Sequence, residues 1–104
     1  MESRDIYNRS RKTIQWEPNW VHIGTGNLIK KELIENSIIE HFEHQEYIMI
    51  KRGRRNSRSI QTRNAMNEIV SLIGNDNFEL WNGEFSKAIK FDKIGVMRKS
   101  KYAI

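Results

Sequence analysis

The feature that most restricts the fold is a pair of turn signals in the last third of the chain. Phe78-Glu79-Leu80-Trp81, Glu84–Phe91 and Ile94–Arg98 read as short strands, separated by Asn82-Gly83 and Asp92-Lys93. Asn-Gly between strand-like runs is a strong hairpin signal, because both turn residues must accept φ > 0. The last third is therefore expected to be a three-stranded antiparallel meander with a basic tail. Phe85, Ile89 and Phe91 share one side of its middle strand, and Lys87 interrupts that side.

Upstream, Ala65, Met66, Ile69, Val70, Leu72 and Ile73 fall within roughly 160° of a helical wheel, which predicts an amphipathic helix packed by one face. Ser59 or Thr62 is placed to cap its start, and Gly74 stands where a C′ glycine belongs. Leu28 to His44 has a helical composition but spreads its apolar residues around most of the wheel. It reads as one helix, with Asn36-Ser37 as the place for a break, because Ser37-Ile38-Ile39-Glu40 has capping-box spacing. Tyr47-Ile48-Met49-Ile50 reads as a central strand. The only proline, Pro18, makes Trp16–Trp20 a corner between two short β segments, Thr13–Trp16 and Trp20–Ile23. The sum is an α+β fold: one mainly antiparallel sheet of five or six strands with two helices against it.

A chain of 104 residues is one domain in size. With no repeat and no Pro- or Ser-rich linker, residues 1–104 are expected to form a single domain, with 1–12 as a flexible basic arm. No apolar run approaches the ~20 residues of a membrane span. The opening MESRDIYNRSRK has charge but no apolar stretch behind it, unlike a secretory signal. The absence of cysteine excludes disulfides, a thiol nucleophile and a zinc–thiolate cluster. The core must come from three Trp, four Phe, three Tyr and abundant Ile. A soluble cytoplasmic domain is the expectation. The richness in Ile, Asn and Lys against three Ala suggests an AT-rich coding sequence, as in low-GC bacteria, their phages and mobile elements.

Charge alternates in sign along the chain. The net charge is +5, yet no acid occurs between Tyr47 and Asn67, and Glu32, Glu35, Glu40, Glu43 and Glu46 gather just before. Lys51, Arg52, Arg54, Arg55, Arg58 and Arg63 form a stretch expected to be an exposed loop, with cations held by no internal acid. The planar guanidinium matches phosphate oxygens, so this stretch is the first candidate for a nucleic-acid or acidic-partner contact. Arg98, Lys99 and Lys101, with Lys87, Lys90 and Lys93 before them, extend it. Trp81, Phe91 and Tyr102 are the aromatics near this second group, which suggests base stacking beside phosphate neutralisation. No RNP-type motif is present. If Glu32–Glu46 faces the basic stretch, it either shields it within one chain or joins two copies as a homodimer.

Enzymatic signals are weaker. His41 and His44, three apart on a helix, share a face and can ligate a metal with a carboxylate, but HExxH is absent. A solvated helix end explains the same letters. His22, His41, His44 and the many cations supply the parts of a metal-independent ribonuclease without fixing a site. Gly24-Thr25-Gly26 lacks the remaining residues of GxGxxG and of a P-loop. No catalytic set, metal or cofactor is therefore assigned. Three readings follow: a small nucleic-acid-binding or regulatory domain; a phage- or mobile-element-type inhibitor, immunity protein or antitoxin acting on an acidic protein surface; and a ribonuclease toxin.

Overall fold

The computed structural model describes residues 2–10, 14–43, 45–53 and 56–101. In chain order they form α1 (Ser3–Arg9), β1 (Val21–His22), α2 (Lys31–His41), β2 (Tyr47–Lys51), β3 (Arg58–Gln61), α3 (Ala65–Ile69), β4 (Phe78–Asn82), β5 (Ala88–Asp92) and β6 (Val96–Lys99). The strands make one six-stranded sheet in the order β1-β6-β5-β4-β2-β3, antiparallel at every pairing. The α+β class and the β4–β5–β6 meander are those read from the sequence. No helix among the described residues is long and apolar enough to cross a membrane.

The period of two in each strand sorts its side chains onto two faces, and both are covered. Ile48 and Ile50 of β2, Ile60 of β3, Phe78 and Leu80 of β4, Ile89 and Phe91 of β5 and Met97 of β6 point one way. There they meet Ile34, Ile38 and Phe42 of the α2 segment and Ala65, Ile69 and Ile73 of the α3 segment. Phe78 and Phe91, opposite each other in register, stack with ring centroids 4.6 Å apart. The intervening residues Met49, Trp81 and Ala88 form a second core with Ile6 of α1 and Phe85, flanked by Ile14 and Trp16. Residues 2–10 are thus no arm: α1 is a third helix, capped by Glu2 and Asp5, and its Ile6 is fully buried.

Three local expectations give way to tertiary packing, and the reading of 28–44 as one helix is met over Lys31–His41. Residues 58–61, read as loop, form the edge strand β3, because an edge strand needs only one inward apolar residue and Ile60 supplies it. The amphipathic helix is confined to Ala65–Ile69, preceded by a 3₁₀ turn at Thr62–Asn64 and followed by turns to Gly74, whose φ is +83°. Its buried face is the predicted one, but Ser59 lies in β3 and no side chain caps the start. α2 runs through Asn36 without a break, since Ser37 Oγ donates to the Leu33 carbonyl and so stays within the helix.

The β4–β5 connection is the third departure. Asn82 continues β4 by pairing with Ile48, so the turn is not a two-residue loop on Asn82-Gly83. The left-handed conformation falls instead on Phe85 (φ +56°), which turns its ring into the second core rather than beside Ile89 and Phe91. The Asn82 side chain accepts from the Ser86 and Lys87 amides at 2.8 and 3.0 Å and donates to Ser86 Oγ at 2.9 Å. Asn82→Ala leaves two amides without their acceptor and is expected to cost about 1–2 kcal/mol in chemical denaturation. A loss within ~0.3 kcal/mol would mean that water replaces the side chain.

Candidate nucleic-acid interface

The second face of the sheet changes character from one row of residues to the next. Met49, Trp81 and Ala88 stand opposite one another in register and are buried. Two residues along each strand, the next row reads Lys51, Glu79, Lys90 and Arg98, again directly opposite one another across β2, β4, β5 and β6. At about 4.8 Å per strand, the row spans roughly 14 Å. Three of its four members are cations. The one acid, Glu79, lies 3.6 Å from Lys51 Nζ and also accepts the Trp81 indole N–H at 2.8 Å.

Aromatic rings border this row at both ends. Lys51 Nζ lies 5.4 Å from the Tyr7 ring of α1. At the other end Lys90 Nζ sits 4.5 Å from the Trp16 ring and 5.3 Å from the Trp20 ring, and the Arg98 guanidinium lies 5.4 Å from Trp20. The corner that carries both tryptophans is tied to the sheet from two sides. Trp16 bridges to Ser100, and Arg98 donates to the carbonyls of Glu17 and Pro18. Pro18 makes the bend and Arg98 secures it, so Trp20 is held while 42% of its surface stays in solvent. Cations over indole faces gain about 0.5–1 kcal/mol each at exposed sites, enough to bias the arrangement.

The sequence-predicted cations are partly gathered and partly dispersed. Lys51 and Arg98, from the two separate basic groups, join in this row. Arg52 pairs with Asp76 at 3.2 Å and Arg58 with Glu68 of α3, so the hairpin cations do meet internal acids, contrary to the sequence expectation. The acids come from distant parts of the chain, which is why the acid-free stretch gave no sign of them. Among the described residues no ion pair joins Glu32, Glu35, Glu40, Glu43 or Glu46 to the hairpin. Arg63 is exposed and donates to Gln61 Oε1 at 3.3 Å, and Lys101 is exposed beyond β6. Lys99 lies on the helix-covered side, with His41 and Ser100 in the lining of a cleft of about 320 Å³. Arg54, Arg55, Tyr102 and His44 lie outside the described residues.

Trp81 and Phe91, the aromatics beside the second basic group, are buried at 1% and 3% exposure and serve the two cores, the commoner role of aromatics at strand spacing. The rings that border the cations, Trp16 and Trp20, were legible only as a corner. Their one clue was the two tryptophans either side of Pro18, and what placed them beside Lys90 was the pairing of the chain's two ends. His41 is no solvated helix end either. It is 2% exposed, with Nε2 2.9 Å from Ser100 Oγ, which in turn accepts the Ala88 amide. Among the described residues no three His, Asp or Glu side chains converge as a metal site would require. No protein-family model, curated protein or solved structure matches the chain.

Proposed function

We propose that this protein is a nucleic-acid-binding domain that contacts phosphates from the second face of its sheet. One observation carries the reading: the row places Lys51 of the hairpin group and Lys90 and Arg98 of the C-terminal group in register on one surface. Phosphate recognition needs cations at regular spacing whose counterions are weak. The one acid in the row, Glu79, pairs with Lys51 at 3.6 Å, a part-exposed ion pair worth at most about 1 kcal/mol, so a phosphate can displace the carboxylate. Arg58, opposite Ile50 and paired with Glu68 of α3, faces the other side of the sheet, so the row itself is the proposed contact.

Neutralising about three phosphates, one for each cation of the row, releases about as many counterions. Affinity for a labelled oligonucleotide should then fall about 20- to 40-fold between about 50 and 200 mM salt, read by fluorescence anisotropy. Lys51→Gln and Lys90→Gln should each lower the log–log salt slope by about 0.7–0.9 without changing the melting profile. A slope near zero in the unsubstituted protein would end the proposal. Capture of one stoichiometric protein partner with no nucleic acid retained would instead give the row to an acidic protein surface. Cleavage of the probe in EDTA would favour the ribonuclease reading.

A further inference from the structure

From the tryptophans at the end of the cation row we infer that the ligand is an unpaired strand, RNA or DNA, one of whose bases stacks on Trp20 while Lys90 and Arg98 take the adjoining phosphates. This rests on the nucleic-acid reading above and narrows it to a substrate class. A duplex keeps the faces of its bases buried in its own stack, so it can use the cations of the row but not the rings. An unpaired strand can use both.

The geometry distinguishes the two tryptophans. Trp16 is half-buried, flanks the second core and has Lys90 Nζ 4.5 Å from its ring. Its role is to position the lysine. Trp20 has two cations within 5.4 Å of its ring centre and still leaves 42% of its surface in solvent. A large indole in water at the end of a charged row is a poor choice for solubility and a good one for stacking. It is also pre-ordered, because the Arg98 bonds to Glu17 and Pro18 fix the backbone beside it. Little side-chain entropy is then lost when a base arrives. Glu79 within the row, Glu17 exposed in the same corner, and Asp92 on β5 two residues beyond Lys90 are the nearby acids of this surface. Of these, Glu79 already pairs with Lys51, which leaves Lys90 and Arg98 as the cations next to Trp20.

The test uses the full chain with three labelled probes: oligouridylate, oligothymidylate and a duplex of the same length, each about a dozen nucleotides. Trp20→Ala should weaken binding to the single strands by about five- to 100-fold, the range that loss of one stacked base gives, and leave duplex binding within about twofold. Trp20→Phe should recover most of the loss, which a purely structural role at an exposed position would not require. Circular dichroism melts show whether each variant folds. Should a folded Trp20→Ala variant bind single strands as tightly as the unsubstituted protein, the stacking inference falls and the phosphate reading stands. Should the unsubstituted protein bind none of the three probes at low salt, both fall.

Discussion

Ile6→Ala should lower the unfolding free energy by about 3 kcal/mol, within the ~2–5 kcal/mol span of buried Ile truncations. Ile6 is 0% exposed and touches the second core formed by Met49, Trp81, Phe85 and Ala88. Its removal leaves a cavity in the core that holds Trp81, whose strand is flanked by β2 and β5. Such a site collapses poorly, so the cavity cost adds to the lost transfer energy. Chemical denaturation measures it, since a shift in midpoint at constant slope reports stability alone. A loosely attached arm would give a change within about 0.5 kcal/mol, and that result would detach α1 from the folded unit. The same cation-bearing helix sets Arg9 over the Phe85 ring at 4.6 Å and Tyr7 beside Lys51. Loss of α1 therefore also removes one aromatic border of the proposed interface.

How far the sequence revealed this fold depends on whether a residue's partner was near it in the chain. The meander was readable because β4, β5 and β6 pair with their immediate neighbours, and turn chemistry is a local property. β3 was not, because a strand with one apolar residue, Ile60, looks like a loop until β2 lies beside it. α1 was hidden by its charges: Arg4, Asp5 and Arg9 dominate the composition, while the burial depends on Ile6 alone. The interface divides in the same way. Basic residues are visible in any sequence, so Lys51 and Arg98 could be named as candidates. That they stand in one row follows from sheet order, with β4 and β5 between their strands, and no spacing along the chain encodes it. The acids that pair with Arg52 and Arg58, Asp76 and Glu68, were invisible for the same reason. Trp81 is buried because burial follows strand parity, and Trp81 shares its parity with Met49 and Ala88.

Acidification should destabilise this protein through His41. Burial pushes the imidazole down from 6.5 to about 4, a hydrogen bond to the Ala88 backbone pulls the other way, and Lys87 and Lys99 add to the fall. A histidine whose folded pKa lies below its unfolded value binds fewer protons when folded, so stability rises with pH across that interval. The contribution is fully present above about pH 6.5 and is lost progressively as the pH drops toward 4. Its full size is about 3 kcal/mol, from 1.36 kcal/mol per pH unit over that span, a large part of what a domain this small holds in reserve. The neutral ring is what the site needs: with Ser100 it ties the end of α2 to β5 and β6. A proton on it would put a third positive charge beside Lys87 and Lys99 on a ring with only 2% of its surface in solvent. Denaturation curves at several pH values between 7 and 4 should therefore slope more steeply for the unsubstituted protein than for His41→Gln. The variant keeps an amide to meet Ser100 and has nothing to titrate. Parallel slopes would show that His41 reaches solvent before it is protonated, and that the end of α2 opens well below the cost of global unfolding.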